Sequence, residues 1–175
     1  RDGGTNRAPS LLVAPASLLS NWSAEIERFA PSLNALVAHP SAMPADRLKA
    51  LKSASLKGAD LVITSYGSLL RMPWLADVQW HLAVLDEAQA IKNPNTKQTK
   101  AACMLQARAR IALTGTPVEN RLADLWSIFN FINPGLLGSY AFFRQNFLLP
   151  VENKQEEYVT AKLQILIKPF ILRRT

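Results

Sequence analysis

The chain has 175 residues, 49% of them hydrophobic and 19% charged, which supports one domain with a sizeable core and excludes a disordered or low-complexity protein. Its single cysteine, Cys103, excludes an internal disulfide framework and fits a reducing compartment, and no apolar run approaches the ~20 residues of a membrane span. The net charge of +7 is compatible with a polyanionic partner, most of all between Ala88 and Val118, where Lys92, Lys97, Lys100, Arg108 and Arg110 occur without any Asp or Glu; charge alone reads first as a solvated face, and the motifs below shift it toward a phosphate-tracking surface.

In chain order, residues 1–6 lack an apolar core and do not read as a secretory signal. Ser10 to Ala14 is a short apolar run ended by Pro15 and predicts a buried strand. A helix follows, capped by Ser17 or Ser20, with Leu18, Leu19, Trp22, Ile26 and Phe29 at helical spacing until Pro31. Trp22 lies on that apolar stripe, which makes it a core residue rather than a base-stacking one. Residues 33–38 predict a strand, 46–56 a helix ended by Gly58, 59–65 a strand, and a short helix starts at Tyr66. Residues 81–85 form the next strand, 96–105 a helix capped by Asn95 or Thr96, and 110–113 a fifth strand. The rest is helical, over 122–131, 140–147 and 156–166, with Gly135 and Gly138 in the first gap and Pro150 in the second. His39 and His81 lack partners at metal-ligand spacing and read as structural, as does Cys103.

Strands alternating with helices give an α/β fold, a parallel sheet with crossover helices, plus a helical C-terminal extension. The division expected is a sheet-bearing core over 1–120 and an extension over 121–175. Ligands of such sheets sit beyond the carboxyl ends of the strands. Pro15–Ser17, Thr64–Tyr66, Asp86–Gln89 and Thr114–Thr116 each follow a predicted strand end, so four polar clusters should share one rim.

At the tip of Leu82-Ala83-Val84-Leu85, Asp86 is suited to hold Mg2+ through its waters and Glu87 to activate an attacking water. An isolated pair of this kind also occurs as a helix cap. Thr114-Gly115-Thr116 brings hydroxyls and a close backbone toward the pair, or makes an ordinary polar turn before Pro117. Ser17 to Trp22 and Thr64 to Tyr66 offer groups that bind phosphate backbones without reading sequence.

Together these boxes resemble the first RecA-like lobe of the Swi/Snf-type ATPases of helicase superfamily two. Leu12 to Trp22 looks like motif Ia, Val62 to Tyr66 like motif Ib, Leu85 to Asn93 like motif II and Leu113 to Asn120 like motif III. Leu125 to Phe129, Asn133 to Gly138 and Pro169 to Thr175 resemble segments that close this lobe. The resemblance implies a RecA-like, P-loop NTPase-type fold. It implies Asp86 as the Mg2+ ligand and Glu87 as the general base for ATP hydrolysis, with Gln89, Thr114, Gly115 and Thr116 at the nucleotide. Ser17, Asn21, Thr64, Ser65 and Lys92 would touch double-stranded DNA, and the parent enzyme would translocate along it. Leu-Thr-Gly-Thr-Pro at 113–117 and Gln89 after Asp-Glu-Ala separate the chain from DEAD- and DEAH-box RNA helicases.

The chain departs from the family pattern in lacking Gly-Lys-[Ser/Thr] anywhere, and it shows no second RecA-like lobe. It is therefore expected to be a piece of a DNA-dependent ATPase, inactive alone, whose partners are duplex DNA and the second lobe. The sheet should be exposed or distorted where the strand carrying the missing loop belongs. Alternatives are a non-catalytic DNA- or protein-binding module and an RNA helicase fragment. The expected location is the bacterial cytoplasm on the nucleoid, or the nucleus in a eukaryote.

Overall fold

The computed structural model describes residues 8–115, 122–152 and 156–172. Its sheet comprises β1 (Ser10–Ala14), β2 (Ala35–Val37), β3 (Leu61–Ser65), β4 (Gln79–Leu85) and β5 (Gln106–Ala112). They are hydrogen-bonded in the order β2-β3-β1-β4-β5, every pair parallel. β1 is central and covered on both faces, the reason it reads as an unbroken apolar run. Its alternate residues feed two cores: Leu11 and Val13 join the larger one with Trp80, Leu85 and Phe131, while Leu12 and Ala14 pack with Leu19 and Ile63.

The smaller core is closed by α1 (Leu19–Phe29), whose Leu19, Trp22 and Ile26 face the sheet. Neither Ser17 nor Ser20 caps it. Pro15 holds φ at −55° and its carbonyl accepts from Leu18 N–H at 2.9 Å, so a 3-10 turn (Ala16–Leu18) comes first and α1 starts at Leu19 without a side-chain cap. The helix expected over 46–56 splits into α2 (Ala45–Ala50) and a 3-10 turn (Ser53–Leu56). Ser55 Oγ accepts from Lys52 N–H at 3.1 Å, the local bond by which serine competes with a continuing helix. α3 (Tyr66–Arg71) and α4 (Lys97–Cys103) cover the other face, each opened by a hydroxyl cap from Ser65 and Thr96 respectively.

β5 is an edge strand in unbroken register with β4, from Gln79–Gln106 to Leu85–Ala112. The expected disturbance is thus exposure without distortion: Ile111 on β5 is 43% exposed.

α5 (Leu122–Ile132) belongs to two cores at once. Ile128 and Phe131 complete the sheet core, whereas Leu125, Trp126 and Phe129 nucleate a helical cluster with α6 (Tyr140–Phe143), α7 (Leu149–Glu152) and α8 (Glu156–Ile167). Pro150 does not end the second helical stretch: a π turn (Arg144–Leu148) leads straight into α7. That wider turn accommodates a ring that lacks an N–H and would crowd a regular helix. No helix among the described residues is long and apolar enough to cross a membrane.

Gly138 has φ +70°, and a Cβ there would lie 2.7 Å from Phe142 Cδ1; Gly135, at φ +85°, has open space around it. Gly135→Ala is expected to cost about 1 kcal/mol through its backbone alone. Gly138→Ala adds the clash and should cost roughly 1–3 kcal/mol. Thermal unfolding checks the order, and a Gly138→Ala variant no weaker than Gly135→Ala would contradict it.

Candidate functional site

The register sets Thr64, Val13, Leu85 and Ala112 side by side across four strands. The segments that follow them therefore leave the sheet together, as the spacing predicts. Asp86 continues from β4 into this rim, its N–H bound to the Val13 carbonyl at 2.8 Å. Leu113 N–H reaches the Leu85 carbonyl and Ala88 N–H the Leu113 carbonyl, both at 2.8 Å, which ties the loop after β5 to the one after β4.

Asp86 is half-buried and held from several sides. Its Oδ2 accepts from the Trp22 indole N–H at 2.7 Å, and its Oδ1 from Glu87 N–H at 2.9 Å. Its carbonyl accepts from the Tyr66 hydroxyl at 2.7 Å. Burial, then the nearby carboxylates of Asp86 and Glu87, push the Tyr66 phenol far above its usual range, so it stays protonated as that donor. Each carboxylate oxygen of Asp86 accepts a single hydrogen bond among these contacts, which leaves a lone pair on each for a hard cation.

Glu87 has φ 48° and ψ 55°, the left-handed region, and is the one non-glycine residue with positive φ among those described. Such a backbone costs on the order of 1–3 kcal/mol and gathers at functional sites. Glu87 Oε2 accepts from Gln89 Nε2, and Gln89 Oε1 accepts from the Thr114 hydroxyl at 2.9 Å. The directions follow from chemistry: an ionised carboxylate only accepts, so the amide NH2 must face Glu87 and its oxygen must face Thr114. A relay from the loop after β5 to the acid beside Asp86 results.

Asp86, Glu87, Gln89 and Thr114 are thus brought together, and Gly115 is exposed beside them. Thr116 and Pro117 lie outside the described residues. No group of three or more His, Cys, Asp and Glu side chains lies close enough to hold a metal among the described residues. That donor set does not suit zinc, which wants three or four protein ligands. It fits Mg2+, which keeps several waters and takes one or two carboxylates.

Ser17, Asn21 and Lys92 are exposed. Thr64 and Ser65 are not, and their expected contact with a DNA backbone is corrected here. Thr64 is fully buried and its hydroxyl donates to the Ala38 carbonyl at 2.8 Å. Ser65 is buried as the cap of α3, accepting from Ser68 N–H and donating to Ser68 Oγ, both at 3.1 Å. β3 is interior, between β2 and β1, so its end is sealed by its neighbours.

The basic stretch divides as well. Lys92, Lys97, Lys100 and Arg108 are exposed, but Arg110 turns inward, its Nη2 donating to the Leu105 carbonyl at 2.7 Å and its guanidinium 5.8 Å from the Phe131 ring centre. Arg108 lines an open hollow with Ala8, Gln79, Trp80, His81 and Ala107, toward the opposite ends of the strands from Asp86.

Sequence reasoning placed Trp22 on the apolar face of its helix, where it is, and missed that its N–H reaches a carboxylate 64 residues away. The one available signal was that a buried indole N–H is a donor needing a partner. Likewise nothing in the spacing announced Tyr66 as a clamp on Asp86, or Gln89 as the bridge to Thr114.

An acid pair at the tip of an interior parallel strand, bridged to the loop of the next strand, is mounted on a RecA-like α/β lobe. A family model, the SNF2-related domain, matches residues 2–175, and the chain belongs to that family. It is 45% identical to YwqA of Bacillus subtilis, named for an ATP-dependent helicase/translocase, across 100% of this chain and 19% of YwqA. It is 37% identical to the chromatin-remodelling ATPase INO80 of Arabidopsis thaliana, over 95% of this chain and 12% of that one. The SWI2/SNF2 ATPase core of Sulfolobus solfataricus in complex with double-stranded DNA superimposes with a TM-score of 0.86 at 46% identity. The match covers 98% of this chain and 34% of that one. The chain thus spans about a fifth or less of these curated relatives and a third of the solved core.

Proposed function

We propose that this chain is the first RecA-like lobe of a longer, ATP-driven translocase of double-stranded DNA. The observation that carries the reading is the hydrogen-bonded rim: Asp86 fixed by Trp22 and Tyr66, and Glu87 joined through Gln89 to Thr114. Asp86 would hold Mg2+, and that ion would supply charge neutralisation at the nucleotide's terminal phosphates. Glu87, turned into the rim by its left-handed backbone, orients the attacking water and takes its proton. Thr114 reports on the loop after β5 through Gln89, so a change in that loop alters the position of the base. The phosphate-cradling loop and the second lobe come from the remainder of the longer protein.

Ser17, Asn21 and Lys92 face solvent and contact DNA phosphates; the buried hydroxyls of Thr64 and Ser65 do not. The similar Sulfolobus core, solved in complex with double-stranded DNA, supports duplex DNA as the track. In the full-length protein, duplex DNA should raise ATP turnover, and DNA affinity should fall steeply as salt rises because phosphate contacts release counterions. Replacing Ser17, Asn21 and Lys92 together by Ala should flatten that slope and weaken binding uniformly across sequences. A salt slope unchanged by the triple replacement would move the DNA track elsewhere, and turnover indifferent to DNA would refute the reading.

A further inference from the structure

The contacts of Asp86 are unequal in where they come from. Its backbone N–H is held by Val13 of β1, its carbonyl by Tyr66 of α3 and Oδ1 by its own neighbour Glu87; Trp22, on Oδ2, alone stands on α1. α1 is also the helix that presents Asn21 to solvent, one residue from Trp22, and that follows the exposed Ser17. Leu19, Trp22 and Ile26 pack on the sheet, so α1 is seated against Leu12, Ala14 and Ile63. A helix with one side toward solvent and an indole on a carboxylate carries a displacement of the first directly to the second. The bond is short, at 2.7 Å, and its acceptor is a carboxylate, the stronger kind of hydrogen bond. Packing alone does not require it, because a Phe at this position would fill the same apolar stripe without donating.

We propose that Trp22 is a positioning residue, which holds the Asp86 carboxylate in its ion-binding orientation and relays the state of the DNA-facing helix α1 to it. The inference rests on the reading of the rim as an Mg2+ and ATP site beside a DNA surface. With DNA on α1, the indole fixes Oδ2 and leaves the remaining lone pairs aimed at the ion. When α1 shifts, the carboxylate rotates with it and the ion is held less well. In this way occupancy of the track sets the competence of the ATP site.

The test compares wild-type full-length protein with Trp22→Phe, and with a second variant in which the Trp22 indole is replaced by benzothienylalanine, an isostere with sulfur in place of N–H. Binding of Mn2+ in the presence of a non-hydrolysable ATP analogue is followed by electron paramagnetic resonance. Loss of a group that orients a metal ligand should weaken it roughly 10-fold. The stimulation of ATPase by duplex DNA should fall more than the rate without DNA. In 15N-labelled protein the Trp22 indole resonance, assigned by its loss in Trp22→Phe, should move on adding duplex DNA and again in Asp86→Asn. Unchanged Mn2+ affinity and unchanged DNA stimulation in the isosteric variant would overturn the proposal, even if thermal stability dropped, since a drop in stability alone marks a packing role. The underlying reading fails separately, if Asp86→Asn retains wild-type Mn2+ affinity and turnover.

Discussion

Glu87→Gln in the full-length protein is expected to lower ATP turnover by roughly 10²–10⁴-fold, the usual contribution of a general base. The change is confined to basicity. A glutamine at 87 keeps the length and shape of the side chain, and its amide oxygen still accepts from the Gln89 NH2 that now bonds Glu87 Oε2. The Gln89–Thr114 bond is untouched, so stability should stay within about 0.5 kcal/mol of wild type. Glu87→Gly separates the two roles of the position. It is equally inactive, yet relieves a left-handed backbone at φ 48° and should gain about 1 kcal/mol. Steady-state ATPase assays and thermal unfolding of the three proteins decide the matter. A Glu87→Gln or Glu87→Gly enzyme within 10-fold of wild type would remove Glu87 from the role of base.

The strain at Glu87 also shows what the sequence could and could not convey. The rim was legible because its mounts are buried strands: β1 and β3 are apolar runs with short polar ends, and runs of that kind predict parallel strands whose carboxyl ends align. Which polar residue at those ends meets solvent was not legible. Thr64 and Ser65 look like Ser17 and Asn21 in composition, and only the interior position of β3 and the cap of α3 distinguish them. Periodicity put Trp22 on the correct side of α1 because a 3.6-residue repeat reports a face. It says nothing of reach, and the bond to Asp86 joins residues that only the sheet brings together. Boundaries failed where a local bond beats the pattern, at Ser55 and Pro15, and where a wider turn rescues a proline, at Pro150.

Phe131→Ala is expected to destabilise the chain by roughly 3–5 kcal/mol, the range for emptying a buried aromatic site. Phe131 is 1% exposed and stands where α5 meets the sheet. Its ring also lies under the Arg110 guanidinium, whose buried Nε lacks a hydrogen-bond partner. Truncation would therefore leave a cavity and, beside it, a charged group deprived of its aromatic face. The loss is large against the 5–15 kcal/mol by which domains of this size are stable. It should not stay local. α5 supplies Ile128 and Phe131 to one core and Leu125, Trp126 and Phe129 to the other, and Ser127 within it donates to the Ile91 carbonyl beyond the acid pair. α5 therefore ties the sheet to the helical cluster. Urea unfolding followed by far-ultraviolet circular dichroism and by tryptophan fluorescence should give one coincident transition in wild type, moved as a whole in Phe131→Ala. Phe131→Leu, which refills most of the volume, should recover much of the loss. Two separated transitions in wild type, or a cost below about 1 kcal/mol for Phe131→Ala, would show that α5 does not join the cores, since surface-like changes fall in that range.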